Sequence, residues 1–141
     1  MTVHIIRLAA GIETIEDLRK RQIQRMKQAK RKGIRTYTRN VPKREEELVA
    51  GGSIYWVIKS LVRVRQRILG FERQTDDQGR GYCLIALDKE LTLVEPRAHK
   101  AFQGWRYLRA EDAPPDLAGG KDHGENLPPE LAAELRALGL L

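Results

Sequence analysis

The sequence is poor in several features that would mark particular classes of protein. Its one cysteine, Cys83, excludes an internal disulfide and a thiolate-rich zinc site, and fits a reducing compartment. No apolar run reaches the length of about 18 to 20 residues that a membrane span needs. The N-terminal stretch MTVHIIRLAAG lacks the basic leader and long apolar segment of a signal peptide. We therefore expect a cytoplasmic protein with no membrane partner.

Residues that carry catalysis or bind cofactors are also sparse. The histidines His4, His99 and His123 are scattered, without the spacing of metal ligands, so we expect surface or linker histidines and no bound metal. No strand leads through glycines into a helix N-terminus, the arrangement that holds phosphates, and we expect no cofactor. Cys83 lies in an apolar segment typical of a buried strand, which favours a small buried side chain over a nucleophile.

Positive charge is the abundant feature. The 141 residues, one domain's worth, carry a net charge of +7. Residues 1–50 contribute +7 and 51–109 contribute +5, whereas 110–141 contribute −5. The stretch from Leu18 to Arg44 holds twelve basic residues and no acidic one. Such a field attracts polyanions, of which nucleic acid is the commonest in cells, although a solvated basic helix that binds nothing is the alternative.

The first half of the chain predicts alternating strands and helices. Residues 2–9 are β-prone, and Thr14 with Asp17 forms a capping-box pattern that opens a surface helix over 14–32, closed by Gly33. Residues 34–39 predict a second strand. Pro42 opens a short helical turn that Gly51 and Gly52 stop.

The most apolar segment, residues 53–71, fits a helical face as well as strands. We favour strands, because the segment is rich in Ile, Val, Tyr and Trp and its second half alternates. The hairpin would turn at Lys59 and Ser60. In its second strand, Val62, Val64 and Ile68 would lie on the inward side. Three arginines would lie on the outward side, namely Arg63, Arg65 and Arg67.

The second half predicts further short strands and a distinct C-terminal segment. A polar loop over 75–81 precedes an expected hairpin of YCLIAL and LTLVE that ends at Pro96, and 102–108 form a last strand. Residues 118–126 are typical of a flexible linker before a terminal helix with Leu131, Leu135 and Leu138 on one face. We expect an α+β domain over 1–117 with its sheet curled into a small barrel, followed by an acidic linker and short helix over 118–141.

Two features predict binding. The arginine row would present guanidinium groups suited to bidentate phosphate contacts, unless it pairs with acids such as Glu72, Asp76 or Asp77. Trp105, between Gly104 and Arg106, is a candidate platform on which a base could stack, with core packing as the alternative. Trp56 alternates with isoleucines and is expected in the core, with Tyr55 on the opposite face.

Three blocks, TRNVPKREEEL, GGSIYWVIKSLVRVRQRILGF and FQGWRYLRAEDAPPDL, resemble a family of small, mainly alphaproteobacterial proteins known as a domain of unknown function. The glycine pair entering an apolar strand, and the strand ending in Ile-Leu-Gly-Phe, are also similar to the PUA-like superfamily, including ASCH and EVE domains. This second resemblance implies a small pseudobarrel with flanking helices that binds RNA or a modified base in a cleft between barrel and helix. It also implies that residues 39–47 line the cleft.

The leading hypothesis is therefore a module that binds RNA or single-stranded nucleic acid. Its candidate contacts are Arg39, Lys43, Arg44, Arg63, Arg65, Lys100, Trp105 and Arg106. The resemblance to ASCH-type hydrolases implies an alternative, hydrolysis of an acylated nucleoside, with Thr38, Lys43 and Glu47 as catalytic candidates. A third hypothesis is a protein-interaction adaptor whose acidic C-terminal segment contacts the partner; that segment could instead fold back and weaken nucleic-acid binding.

Overall fold

The computed structural model describes residues 2–100 and 102–121, the last four of these by their backbone alone. This part of the chain is mixed α+β, with most of its ordered residues in strands. The elements in chain order are β1 (Val3–Leu8), α1 (Ile15–Gln28), β2 (Ile34–Thr38), α2 (Glu45–Val49), β3 (Ser53–Ile58), β4 (Leu61–Thr75), β5 (Gly81–Leu87), β6 (Thr92–Ala98), β7 (Trp105–Arg109), a 3-10 turn (Ala110–Asp112) and β8 (Asp116–Lys121).

The strands form one open sheet in the order β2-β5-β4-β3-β1-β7, with β6 beside β4 and β8 beside β6. β1 and β3 run parallel, and the other pairs are antiparallel. The long strand β4 joins the two halves, because its first part pairs with β3 and β6 and its second part with β5. The larger apolar cluster lies between one sheet face and α1; a smaller cluster around Tyr55 and Val57 covers the other face.

Side chains link the two ends of the strand order, β7 and the segment after β2. The indole N–H of Trp105 donates to the carbonyl of Asn40 at 2.9 Å. The hydroxyl of Tyr107 accepts the backbone N–H groups of Lys43 and Arg44, at 2.9 and 3.1 Å. The sheet is therefore curled, and its ends are bridged by side chains while its backbone ladder stays open.

The start of α1 confirms the capping prediction, and its end corrects another. The Asp17 N–H donates to Thr14 Oγ1 at 3.1 Å. The helix ends near residue 29 and not at Gly33, because Lys30 takes the left-handed conformation, with φ 54°. The N–H groups of Lys30 and Arg31 then satisfy carbonyls of the last turn. This is a Schellman motif with lysine where glycine is usual.

Residues 53–71 form a hairpin of two strands, as predicted. Lys59 and Ser60 form its two-residue turn, and both have positive φ, 51° and 63°. Two positive φ values are the requirement of a type I′ turn, whose twist matches the flanking strands. β4 continues beyond the predicted strand to Thr75.

The predicted outward row of three arginines is wrong. Arg63 is buried, Arg65 is half-buried and Arg67 is exposed. The register of β4 shifts against β6 between Val62 and Val64, and the register of β3 against β4 also shifts nearby. These bulges break the simple alternation, so that Val62 and Val64 join different apolar clusters.

Three other expectations need correction. β5 and β6 do not pair with each other, since both lie along β4, and β6 passes through Pro96 at an irregular part of its ladder. The short helix starts at Glu45 and not at Pro42. Residues 118–121, predicted as linker, belong to β8, whereas 122–141, with the predicted terminal helix, lie outside the described residues. No helix within the described ranges is long and apolar enough to span a bilayer.

Candidate anion-binding pocket

A pocket of about 300 Å³ lies where α1 crosses the ends of β1 and β2. Four arginines line it, and none of its described lining residues is acidic. The four come from three elements: Arg7 from β1, Arg21 and Arg25 from α1, and Arg35 from β2. We call this cavity the arginine pocket. Arg7, Arg21 and Arg25 have no carboxylate partner among the described residues, whereas Arg35 pairs with Glu72, so the excess positive charge at this concave surface attracts an anion.

Arg7 stands between the two tryptophans of the chain. In the sheet register it lies opposite Trp56 on β3 and Trp105 on β7. Neighbours across strands share a face, so the three side chains form a row. The Arg7 guanidinium donates to the Tyr37 carbonyl at 2.6 Å and reaches Thr36 Oγ1 at 3.5 Å. Partial burial is the main cause that lowers the pKa of Arg7, and the positive charge of Arg25 lowers it further.

The helix α1 contributes two arginines one turn apart. Arg21 donates to the carbonyl of Ala10 at 2.9 Å, which holds its guanidinium against the loop after β1. Arg25 is exposed, and its side chain has no hydrogen-bond or ion-pair partner among the described residues. Its guanidinium is therefore available to a ligand. The spacing of four residues places both side chains on one side of the helix.

Arg35 completes the ring from β2. Its Nε donates to a carboxylate oxygen of Glu72 and its Nη1 to the carbonyl of Ile34 at 3.1 Å. Tyr37, two residues along the same strand, also lines the pocket and is 43% exposed. Its ring lies 5.2 Å from that of Tyr82. The partly exposed Tyr37 ring thus lies beside Tyr82, on the face of β2 that it shares with Arg35.

The floor of the pocket is a buried polar network. Gln22 on α1 and Gln66 on β4 exchange two amide hydrogen bonds, at 2.8 and 2.9 Å. Gln66 Oε1 also accepts the indole N–H of Trp56 at 3.1 Å, and its Nε2 donates to the carbonyl of Asp88 at 2.8 Å. These bonds satisfy the Gln66 amide fully. They fix α1 on the sheet and so position Arg21 and Arg25.

The predicted contact residues fall into separate places. Arg39 pairs with Asp76 at 3.2 Å, and Arg44 with Glu47. Lys43 is exposed beside them, with Trp105 nearby through Asn40 and Tyr107.

Arg65 binds both carboxylate oxygens of Asp116, at 2.7 and 2.8 Å, and also donates to Ser53. Arg106 lies over the Phe102 ring at 4.6 Å, on the opposite face of β7 from Trp105. Lys100 is exposed, and Arg63 is buried. The structure therefore does not bring Trp105, Arg63 and Arg65 into one of its described pockets.

The three residues predicted for hydrolysis are also not assembled. Thr38 is buried and donates to the Asn40 carbonyl at 3.2 Å. Lys43 and Glu47 line a different depression in front of α2. The hydrogen bond from Arg44 lowers the pKa of Glu47, which favours a fixed negative charge over proton transfer near neutral pH.

Sequence reasoning missed Arg7, Arg35 and Trp56 as site residues. The basic helix was recognised. The four-residue spacing of Arg21 and Arg25 within the acid-free stretch could have indicated that both arginines lie on one side of that helix. Arg7 sits in an apolar strand and gives no signal by itself. Only its parallel pairing with β3, distant in sequence, brings it to Trp56.

The comparisons with known proteins locate the chain in a family. Residues 5–141 match a family described as protein of unknown function (DUF1489). No curated protein and no solved structure matches the chain. In the described ranges, no group of three or more His, Cys, Asp or Glu side chains could hold a metal ion.

Proposed function

We propose that this chain, which belongs to the DUF1489 family of proteins of unknown function, binds single-stranded RNA through the arginine pocket. The observation that carries the proposal is that four arginines line one cavity, with no acidic residue among the described residues that line it. Guanidinium forks suit phosphate groups, since two parallel N–H donors match two phosphate oxygens.

The electrostatics of the pocket support a bound anion. Arg7 and Arg25 repel each other, and partial burial of Arg7 adds to the cost of its charge. A phosphate between them would relieve this repulsion and gain charge-assisted hydrogen bonds. Arg25 has its donors available, so a ligand need not break an existing ion pair with it.

The partly exposed Tyr37 ring favours a single strand over a duplex. Tyr37 lies two residues from Arg35 on β2 and is 43% exposed, and the Arg39 guanidinium lies 5.5 Å from the centre of its ring. An unpaired base can stack on such a ring while its phosphate is held by arginines nearby. In a duplex the base faces are already stacked and cannot reach the ring.

The proposal includes the resemblance to PUA-like domains, because the arginine pocket lies in a comparable place. That resemblance implies an RNA-binding cleft between a pseudobarrel and a helix. The arginine pocket lies between α1 and a curled sheet whose ends are bridged by Trp105 and Tyr107. The proposed site thus differs in its residues from the predicted contacts but not in the kind of cleft.

Fluorescence anisotropy with a labelled 12-nucleotide oligouridine tests the proposal. The double variant Arg21→Ala, Arg25→Ala removes two pocket guanidiniums. Each charge-assisted hydrogen bond contributes about 1.5 to 3 kcal/mol, so we expect affinity to fall tenfold or more. The double variant Lys20→Ala, Lys27→Ala removes the same charge from exposed positions of α1 outside the pocket.

The control is expected to bind within about threefold of the wild type, as screened surface charges contribute little. Equal losses in both variants would mean that the helix attracts RNA only through its total charge. Absence of binding by the wild type at low salt would refute the proposal outright. Circular dichroism of each variant verifies that it folds.

A further inference from the structure

A second concave surface lies on the other side of α1 from the arginine pocket. This apolar groove, of about 900 Å³, runs between α1, the bulge of β4 and the turn from β5 to β6. Its apolar lining residues are Ile23, Met26, Ile34, Leu69, Leu87 and Leu91. From α1, Arg21 and Arg25 thus line the arginine pocket, and Ile23 and Met26 line the apolar groove.

The groove exposes apolar surface that a folded chain normally covers. Leu69 is 54% exposed and Ile23 is 36% exposed. Leu69 is the extra residue of a bulge, because the register of β4 against β5 shifts between Ile68 and Gly70. A bulge redirects a side chain, and here it directs a leucine into an open groove. Apolar surface gathered in a concavity is typical of a binding site.

The chain leaves its described part at the edge of this groove. β8 pairs with β6 so that Lys121 lies opposite Thr92. Thr92 directly follows Leu91, which lines the groove. Residues 122–127 can span up to about 20 Å when extended, at about 3.3 Å per residue. The segment that follows can therefore reach the groove.

The sequence of this remaining segment complements the groove. Leu131, Leu135 and Leu138 have the spacing of one helical face, and Pro129 suits the first turn of a helix. Glu130 and Glu134 flank that face. The groove is lined by exposed Lys32 and Lys89 and by Arg19, together with the acidic Asp88 and Glu90, of which Asp88 accepts the Glu90 N–H at 3.0 Å.

We propose that residues 127–141 bind in this groove of the same chain as an amphipathic helix, with the leucine face against Ile23 and Leu69. The proposal does not depend on RNA binding. It assigns the acidic C-terminal segment an intramolecular partner, next to the basic helix α1.

Paramagnetic relaxation in the full-length protein tests the proposal. A nitroxide is attached to Lys89→Cys, at the rim of the groove, and amide signals of residues 130–138 are recorded. Cys83 is fully buried and is not expected to take the label. We expect strong broadening of these signals. A label on Thr75→Cys, at the exposed end of β4, should broaden them much less.

Two double variants separate binding from general charge effects. Leu131→Asp with Leu135→Asp should abolish the broadening from the groove label. Ala133→Asp with Ala137→Asp adds the same charges on the opposite side of the predicted helix and should leave the broadening in place. On the groove side, Leu69→Asp should also abolish it, and the partial exposure of Leu69 makes loss of the fold unexpected.

A mixing experiment distinguishes binding of the segment to its own chain from binding to a second copy. In a mixture of isotope-labelled protein without nitroxide and unlabelled protein with nitroxide, we expect no broadening of residues 130–138. Broadening in that mixture that grows with concentration would show that a second copy occupies the groove, which overturns the proposal. Absence of broadening in the directly labelled protein would overturn it as well.

Discussion

Gln22 and Gln66 join the helix α1 to the sheet by two reciprocal amide hydrogen bonds in a buried interface. The two residues are 44 positions apart in sequence. The Gln66 side-chain oxygen also accepts the indole N–H of Trp56, and its second amide N–H donates to the Asp88 carbonyl. The helix α1, the strand β3 and the turn after β5 therefore meet at one side chain. The arginine pocket lies directly above this network.

Replacing Gln66 by Leu should destabilise the fold substantially. The change keeps the volume but leaves the Gln22 amide and the Trp56 N–H without their partner. Each unsatisfied buried group costs about 1 to 3 kcal/mol, so for these two groups we expect a loss of about 2 to 6 kcal/mol in the free energy of unfolding. Urea denaturation followed by circular dichroism measures it.

The double variant Gln22→Leu, Gln66→Leu serves as the internal control. Removing both partners eliminates one set of unpaired groups, so the double variant should lose less than the sum of the two single losses. Strict additivity would mean that the two amides do not interact in the folded protein.

Local signals in the sequence predicted local structure well. The cap at Thr14 and the turn at Lys59 and Ser60 depend on neighbouring residues, and both were predicted at the correct positions. The arginine row over 63–67 failed because bulges, which depend on how β4 pairs with two different strands, interrupt its alternation. A short sequence pattern carries no information on such pairing.

The candidate site was less predictable than the fold. Arg7 and Trp56 meet through a parallel pair whose strands are separated by α1, β2 and α2. The sequence indicated a basic helix but not that two of its arginines face two more from the sheet. Trp56 was predicted as a core residue, which it is, and it also forms part of the pocket floor.

Arg7→Lys should weaken RNA binding although the positive charge is kept. Lysine has no planar fork and cannot hold the Tyr37 carbonyl and a phosphate together in the same geometry. We expect an affinity loss of about tenfold, equivalent to about 1.4 kcal/mol, with a melting temperature close to that of the wild type. Anisotropy and thermal unfolding, measured on the same preparation, check the two parts. An unchanged affinity would remove Arg7 from the proposed interface.

The salt dependence of RNA binding should report the number of phosphates held. If each of the four pocket arginines neutralises one phosphate of a single strand, the slope of log K against log salt is about −2.8, or 0.7 for each contact. Arg21→Ala with Arg25→Ala should reduce its magnitude by about 1.4, or 0.7 for each lost contact. A titration series between low and moderate salt gives both slopes. A slope near zero for the wild type would contradict phosphate recognition.

The Arg65–Asp116 ion pair should make stability fall in acid. The hydrogen bonds from Arg65 lower the pKa of Asp116 below its ordinary value of 3.8. A carboxyl with a lowered folded-state pKa stabilises the fold at pH values above its unfolded pKa, and this contribution is lost as the pH falls through the folded value. The pair is partly exposed, so we expect about 0.5 to 1 kcal/mol.

Asp116→Asn should therefore be less stable than the wild type at pH 7, and the difference should shrink below pH 4. Asp77→Asn, in the exposed turn before β5, removes the same charge without this partner and should show no such convergence. Urea midpoints at several pH values measure the trend. A difference in stability that stays constant across this pH range would show that the ion pair is not its cause.

Lys30→Gly should stabilise the protein. Lys30 adopts φ 54° at the end of α1, a conformation in which its Cβ is crowded and glycine is not. Relief of this strain exceeds the larger backbone entropy that glycine has in the unfolded chain, so we expect a gain of about 0.5 to 1 kcal/mol. Lys30→Ala removes the same charge but keeps a Cβ, and it should bring no gain. Thermal unfolding of the two variants separates backbone strain from charge repulsion along α1. If repulsion were the cause, both variants would be stabilised equally.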